Sequence, residues 1–294
     1  MNFWLKHNLD ELRAIPLDDR LSDDAVIALM HMHLSVAGLL ADGLPEDGSA
    51  TVHREALEQL FGICDRRSRS NQSLARRSRM IPALYRALYI PDTPFDERKH
   101  DRCLNRSFGV VDAWRKQPDV GGRSDERTCA VEYGVLHGII EAFAFAADQD
   151  KASDEDFRYM QRRLSEWVSE MIPDGNWDGL SDDEAVCRLN ILTGYANLHA
   201  DARFDQSIDR ARNRYSERIL RTAQPKAETL FYLYRISASA DDAKAEAIAE
   251  RARCQADRHP QGSDERLWLL AICLDCACGN MRRARKRQRL GHSA

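Results

Sequence analysis

Hydrophobic residues recur along the chain at helical spacing, in two patterns that alternate. One pattern is apolar on nearly all sides, which predicts a helix buried on most of its faces. It covers residues 25–41, 129–147, 185–200, 227–237 and 266–279, and in weaker form residues 75–89, where Pro82 predicts a kink or a late start. The other pattern is a single apolar stripe with charges between, which is typical of a helix with one solvated face.

The striped pattern covers residues 2–15, 53–67, 95–116, 157–171, 204–220 and 242–258. The two patterns alternate six times, and no alternating β-branched run bounded by turns interrupts them. The starts of the apolar helices are spaced by roughly 40 to 55 residues, which is typical of stacked helical hairpins. The sequence therefore predicts an all-α fold of about twelve helices in hairpins, closed as an (α/α)6 toroid, open as an α-hairpin solenoid, or divided into two small bundles.

The phrase Ser-Asp-acid recurs before the apolar runs and predicts where helices start. A serine oxygen at the N-cap accepts a bond from an otherwise unpaired amide, and acidic residues in the first turn interact favourably with the helix dipole. Ser181 and Glu184 also have the spacing of a capping box. The five serines of this phrase are Ser22, Ser124, Ser153, Ser181 and Ser263.

The segment 173–179 reads PDGNWDG and stands between a striped and an apolar helix. Together with the alternation over residues 2–279, this Asp-Gly-x-Trp turn resembles the α/α-toroid, or six-hairpin, folds of some glycosidases, lyases, terpenoid cyclases and prenyltransferase subunits. The resemblance is architectural, covers most of the chain and matches no particular family. It implies an inner ring of helices within an outer ring. The full glutamine-tryptophan repeat of triterpene cyclases and the Cys-His pair of toroidal lanthionine cyclases are absent.

If inner and outer helices alternate, the longer loops mostly lead into inner helices and gather at one rim, where function tends to be located. Acid/base cleavage of a glycosidic bond needs two carboxyl groups across a cleft, and a tryptophan ring can stack on a sugar. A buried histidine with a tyrosine four residues earlier offers a second acid/base group. The candidate catalytic residues are Asp174, Asp178, Asp182, Asp183 and His137, and the candidate substrate-binding residues are Trp177, Tyr133, Asp125, Arg127, Arg188, Asp264 and Arg266.

Two functions remain open at this stage. One is an enzyme acting on a carbohydrate or a similar small polar molecule at the elaborated rim. The other is a non-catalytic helical-repeat scaffold that binds a protein, because the same frame supports unrelated functions. In the second case the acidic first turns serve only as helix caps.

Composition narrows the classes of partner and the cellular compartment that we expect for this protein. The 294 residues carry a net charge of −4, which gives no overall attraction to nucleic acid or anionic membranes. We expect residues 1–280 to form a single domain, followed by a basic tail at 281–294 through which alone nucleic acid would bind. The chain has neither a secretory signal pattern nor an uncharged apolar run of 18 residues, so we expect a cytoplasmic protein without a membrane segment.

No metal or cofactor is expected. Cys273, Cys276 and Cys278 form C-x-x-C-x-C, but only Cys273 and Cys276 share a helical face and no histidine follows at ligand spacing. The common phosphate-loop, dinucleotide and hydrolase motifs are absent. Cysteines at apolar helical positions, such as Cys64, Cys129, Cys187 and Cys273, are predicted to be reduced core residues.

Overall fold

The computed structural model of the protein describes residues 3–41, 49–88, 96–115, 179–199, 205–238 and 242–291, and the single positions 140, 158, 162 and 165. These residues form helices and the turns between them, which confirms the all-α prediction for the described part of the chain. The helices are α1 Phe3–Ala14, α2 Asp23–Ala41, α3 Ser49–Arg67, α4 Leu74–Arg86, α5 Glu97–Arg115, α6 Asp182–His199, α7 Asp205–Arg221, α8 Ala227–Ala238, α9 Asp242–Ala256 and α10 Asp264–Gly291.

Ten predicted helices correspond to these ten elements, mostly with bounds that differ by a few residues. The other two predictions, 129–147 and 157–171, lie outside the described residues apart from four helical positions: Ile140, Arg158, Arg162 and Ser165. A late start of α4 at Pro82 is wrong, because α4 begins at Leu74 and contains Pro82. Ser73 fixes that start by accepting a hydrogen bond from the Arg76 amide at 3.3 Å.

The last helix is longer than the sequence pattern predicts. The apolar pattern ends at Gly279, yet α10 continues to Gly291 through most of the predicted basic tail. Arginine, alanine, lysine and glutamine are good helix formers, so polarity alone does not end the helix. Arg282 also donates to the Ser35 carbonyl oxygen of α2 at 3.5 Å, which ties the extension to a neighbouring helix.

The chain separates into two compact units. Unit 1 comprises Met1–Ile63, Tyr89–Phe95 and Lys226–Ala294, and unit 2 comprises Cys64–Leu88 and Asp96–Pro225. Unit 1 therefore contains α1, α2, most of α3, and α8 to α10. Unit 2 contains the end of α3 and α4 to α7.

In unit 1, α2 and α10 pack side by side and run parallel. Ser22 Oγ donates to Asp264 Oδ1 where the two helices start, and Ser35 Oγ donates to Asp275 Oδ1 at 2.7 Å further along both. α8 lies against α10 and runs in the same direction, since Phe231 contacts Trp268 and, further along both helices, Tyr234 donates to Asp275. The buried side chains Val26, Ala28, Leu29, Met30, Met32, Leu230, Phe231, Leu233, Leu267, Trp268, Leu270 and Ile272 form this core.

α9 packs on α10 as the second helix of a hairpin. Arg266 Nη1, near the start of α10, donates to the Ala256 carbonyl oxygen at the end of α9 at 2.7 Å. Cys273, two turns later, lies 3.7 Å from the Ala249 oxygen earlier in α9. The two helices therefore run antiparallel, as the hairpin pattern predicts.

A histidine pair lies in the core of unit 1. His33 of α2 and His53 of α3 are almost completely buried, and their Nδ1 atoms are 2.9 Å apart. One ring donates to the other, so at most one Nδ1 carries a proton in this contact. Burial, followed by the proximity of His53, lowers the pKa of His33 from 6.5 to about 3.

Helix α2 is also the one described helix that is long and apolar enough to cross a membrane by length and composition. Over Asp23–Leu40 its mean hydropathy is 1.3, and 67% of this window is buried inside the protein. A helix in the core of a soluble protein passes the same test. The packing against α10 accounts for the apolar composition of α2.

In unit 2, one helix pair is joined by a buried polar contact and another part of the unit by a close apolar contact. Ser107 Oγ of α5 bonds with the hydroxyl of the fully buried Tyr85 of α4 at 3.3 Å. Gly194 of α6 faces Ile140, and a Cβ on Gly194 would lie 2.7 Å from Ile140 Cγ2. This close approach requires a residue without a side chain at position 194.

Replacing Gly194 with alanine is therefore expected to lower the free energy of unfolding by about 1 kcal/mol, because overpacking outweighs the helix propensity that alanine adds. The matched control is Gly279→Ala in α10, where a Cβ would meet nothing within 4 Å. That change is expected to raise stability by about 0.5–1 kcal/mol. Urea unfolding followed by circular dichroism measures both, and equal stabilisation by the two changes would contradict the tight contact with Ile140.

Candidate functional site

The serines predicted to cap helices do so wherever the structure describes them. Ser22 Oγ accepts from the Ala25 amide at 2.9 Å, and Ser263 Oγ accepts from the Arg266 amide at 3.4 Å. Ser181 and Glu184 form the predicted capping box, with the Glu184 amide donating to Ser181 Oγ at 3.3 Å and the Ser181 amide donating to Glu184 Oε2 at 3.1 Å. Ser124 and Ser153 lie outside the described residues.

The starts of α2 and α10 meet in unit 1, and two carboxylates lie at this junction. Asp264 accepts a hydrogen bond of 2.5 Å from Ser22, the N-cap residue of the neighbouring helix. Asp24 accepts one of 3.1 Å from the indole N–H of Trp268. Each helix therefore holds a carboxylate of the other, and we call Ser22, Asp24, Asp264 and Trp268 the acidic junction. Ser22, Asp24 and Asp264 are half-buried, whereas Trp268 is almost completely buried.

Arg266, predicted to bind an anionic group, is engaged by a carboxylate of the chain itself. Its Nε and Nη2 donate to the two carboxylate oxygens of Glu11 in α1 at 2.8 and 2.9 Å. This bidentate bond raises the pKa of Arg266 above its ordinary value. Arg266 therefore joins α1 to α10, and its binding of a ligand stays a prediction.

The described candidates of unit 2 lie at the start of α6. Asp182 accepts hydrogen bonds from Arg218 of α7, whose guanidinium also lies over the Tyr215 ring at 4.6 Å from the centroid. Asp183 and Arg188 are half-buried on the same helix. The other candidates lie outside the described residues: Asp125, Arg127, Tyr133, His137, Asp174, Trp177 and Asp178.

Two polar contacts in this part of unit 1 were not predicted from the sequence. Asp24 was assigned to an acidic first turn and Trp268 to an apolar run. They lie two and five residues after the capping serines Ser22 and Ser263, so no common position links them. Asp275 also accepts from Ser35 at 2.7 Å and from the buried Tyr234. Burial, followed by the Asp275 charge, raises the pKa of Tyr234, so this hydroxyl stays protonated.

Aromatic rings lie beside the acidic junction, on the same helices that carry Ser35, Tyr234 and Asp275. The ring of Phe231 lies 4.8 Å from that of Trp268 and 4.5 Å from that of His31, measured between centroids. Tyr232, which is half-buried, lies 6.1 Å from Trp268. The parallel helices α2, α8 and α10 thus share a mostly buried aromatic cluster, with Asp24 and Asp264 at one end and Asp275 further along.

Among the described residues, no group of three or more histidine, cysteine, aspartate or glutamate side chains converges as metal ligands do. Cys64, Cys103, Cys273 and Cys278 are reduced and buried, which confirms the core assignment for Cys64 and Cys273. Cys187 is reduced and half-buried, and Cys129 lies outside the described residues. Burial raises the pKa of the Cys273 thiol to about 12, so it is neutral at physiological pH.

Comparisons with protein-family models, with curated proteins and with solved structures found no match to this chain.

Proposed function

We propose that the protein is an enzyme acting on a carbohydrate or a similar small polar molecule, with acid/base chemistry at the acidic junction. The observation that carries the proposal is the pairing of Asp24 and Asp264, which come from two helices far apart in sequence and are each held by a hydrogen bond to the partner helix. Glycosidic cleavage needs two positioned carboxyl groups, and these two aspartates are our candidates for them. Beside them, the half-buried ring of Tyr232 is a candidate to contact the apolar face of a sugar.

Both carboxylates already accept a hydrogen bond. The Ser22 hydroxyl donates to Asp264, and the Trp268 indole N–H donates to Asp24. Asp24 and Asp264 are our candidates to contact a substrate hydroxyl or the glycosidic oxygen. Asp182 and Asp183 at the start of α6 remain candidates for the same chemistry, and so do Asp174 and Asp178, which lie outside the described residues.

We also propose that the helices close into an (α/α)6 toroid. The first and the last apolar helices, α2 and α10, are neighbours and run parallel, and parallel inner helices with adjacent first and last members are features of an (α/α)6 toroid. An open solenoid keeps its first and last hairpins apart. This packing within unit 1 supports the closed ring over the solenoid.

A helical-repeat scaffold that binds a protein is the second candidate function, and a specific observation favours it. The described polar candidates at helix starts are engaged within the chain: Asp264 with Ser22, Arg266 with Glu11 and Asp182 with Arg218. Such contacts are those of helix caps and helix-to-helix ion pairs. On this reading the carboxylates stabilise the hairpins and the binding surface lies elsewhere.

The two functions are separated by screening sugars, uronates and phosphorylated sugars for thermal stabilisation, together with hydrolysis of nitrophenyl glycosides. The enzyme proposal predicts a ligand that raises Tm by about 5 °C at about 100-fold its Kd, with the shift lost in Asp264→Asn and Asp24→Asn. Asparagine keeps an oxygen that accepts from Ser22 or Trp268, so the fold is expected to survive.

Asp209→Asn is the matched control, because Asp209 is exposed on α7 and pairs only locally with Arg212. This variant should keep the full ligand shift. A shift lost in Asp182→Asn/Asp183→Asn but kept in the Asp24 and Asp264 variants would place the site at α6 and overturn the assignment to the acidic junction. Absence of any ligand and of any hydrolysis would favour the scaffold.

A further inference from the structure

Unit 2 contains a strongly basic region within an acidic chain. Residues 64–88 and 96–115 carry twelve lysines and arginines against five aspartates and glutamates, whereas the whole chain has a net charge of −4. Much of this charge lies in the segment 66–79, which reads RRSRSNQSLARRSR and spans the end of α3, the following turn and the start of α4. The local field of this region therefore attracts anions.

Arg77, in the first turns of α4, is the arginine of this region whose burial requires an explanation. It is 8% exposed, and its Nε atom is fully buried without a hydrogen-bond partner among the described residues. The structure gives its guanidinium no ion pair either, within the part of the chain that it describes. Burying a charged group without a partner is costly, so a site of this kind is suited to an external counter-charge.

The carboxylate that Arg106 contacts is shared with a second arginine. Asp65, buried at the end of α3, accepts two hydrogen bonds from Arg106 of α5 at 3.0 and 3.1 Å. Arg69 lies 3.6 Å from the other Asp65 oxygen. Asp65 therefore neutralises at most one of the two arginines it contacts, and Arg77 adds a further positive charge beside them.

The guanidinium of Arg77 is held close to α5 and to Arg106. Its Nη2 atom lies 3.2 Å from the position that a Cβ on Gly109 would occupy, so the absence of a side chain at 109 leaves room for this arginine. Burial lowers the pKa of Arg77, and the nearby charge of Arg106 lowers it further, which shows that the two cations repel each other. An anion between them would remove both unfavourable effects.

We propose that Arg77 and Arg106 form a binding site for a phosphate group. The cluster of Arg69, Arg77, Arg106 and Asp65 carries two positive charges in excess, which matches a phosphate dianion. Guanidinium groups bind phosphate oxygens through paired N–H donors, and Arg106 uses only Nε and Nη2 on Asp65. The phosphate belongs to inorganic phosphate, to a phosphorylated small molecule or to a lipid headgroup. The site lies in unit 2 and does not depend on the proposed function.

The test measures binding of three probes at constant ionic strength: inorganic phosphate, phenyl phosphate, and vesicles of phosphatidylcholine with or without phosphatidic acid. Calorimetry of the full chain should show saturable phosphate binding that Arg77→Met weakens by at least about tenfold. Arg76→Gln is the matched control, since it removes the same charge from the same turn of α4, and the Arg76 side chain donates to Gln72 one turn away. It should change Kd by less than about threefold.

The melting temperature of Arg77→Met gives a second readout, because its difference from the wild type is expected to depend on whether phosphate is present. In buffer without phosphate, Arg77→Met should raise Tm, because it removes a buried charge without a partner. In phosphate the wild type should gain stability and the variant should not. If Arg77→Met does not fold, Arg106→Gln replaces it, because the Arg106 side chain is 28% exposed and tolerates substitution better.

The preferred probe identifies the source of the phosphate. Binding of phosphate or phenyl phosphate that is lost in Arg77→Met supports a soluble ligand, and vesicle binding that is lost in the same variant supports a lipid headgroup. Equal binding by wild type and Arg77→Met would mean that the region attracts anions without a specific site, and this result would overturn the proposal. So would the failure of all three probes to bind the wild type.

Discussion

Lowering the pH from 7 to 4 is expected to reduce the free energy of unfolding by about 1.4 kcal/mol for each pH unit below 6.5 through His33 alone. The cause is burial against a second imidazole: the Nδ1 atoms of His33 and His53 are 2.9 Å apart, and the pKa of His33 falls from 6.5 to about 3. Protonating the accepting ring removes the acceptor of this bond, and protonating either ring places a charge in the core.

The direction follows from the two pKa values. Because the folded-state pKa of His33 lies below its ordinary value of 6.5, the unfolded chain binds a proton before the folded chain does. The contribution of His33 is therefore fully present above pH 6.5 and is lost progressively as the pH falls toward about 3. Over the whole interval the loss amounts to about 4–5 kcal/mol, a large part of the stability of an ordinary domain.

Urea unfolding between pH 7 and pH 4 measures this slope, and His33→Leu tests its origin. Leucine removes the titrating group, so the variant should lose about 1.4 kcal/mol less per pH unit than the wild type, although its stability at pH 7 differs. Leu57→Ala is the matched control, because Leu57 is fully buried one turn after His53 and does not titrate. It should lower the free energy of unfolding at every pH and keep the wild-type dependence on pH. If His33→Leu also kept the wild-type dependence on pH, the histidine pair would be excluded as its cause.

Replacing Glu11 with glutamine is expected to destabilise the protein by about 3 kcal/mol, because it removes the buried counter-charge of Arg266 and leaves only the exposed carboxylate of Asp257, 3.6 Å from Arg266 Nη1. The side chains of Glu11 and Arg266 are 2% and 12% exposed, so water cannot replace the lost partner. Arg266 keeps its bond to the Ala256 carbonyl oxygen, which places the expected loss at the lower end for a broken buried pair.

The control is the exposed pair of Glu217 and Arg221, whose side chains are 68% and 83% exposed. Glu217→Gln should change stability by less than about 1 kcal/mol, because solvent screens an exposed pair. A double-mutant cycle with Glu11→Gln and Arg266→Gln then isolates the coupling. Equal small effects of Glu11→Gln and Glu217→Gln would show that the Glu11 pair is as weakly coupled as a surface pair.

The regular part of the fold was predictable because its causes are local. Apolar periodicity identified α2, α8 and α10, and the serines before them identified the starts, since caps and first turns depend on residues a few positions apart. The end of α10 was missed because the pattern lost its apolar residues at Gly279, while helix propensity and the contact of Arg282 with α2 continue the helix.

The candidate site was predictable only as a location. The sequence indicated that helix starts gather carboxylates, and Asp264 does meet the start of α2. The specific partners were not predictable, because Glu11 reaches Arg266 and Trp268 reaches Asp24 across separations of 255 and 244 residues. Without related sequences, no periodicity or spacing encodes such distant pairs.

The adjacency of α2 and α10 has a consequence for how the protein is made in the cell. α2 is apolar on most sides, and the helix that covers one of them, α10, begins only at Asp264. At ordinary ribosomal speeds of about 5–20 residues per second, α2 waits about 10–50 s for that partner. During translation its surface is therefore available to chaperones, and release of the nascent chain before α10 is synthesised leaves an aggregation-prone product rather than a smaller folded one.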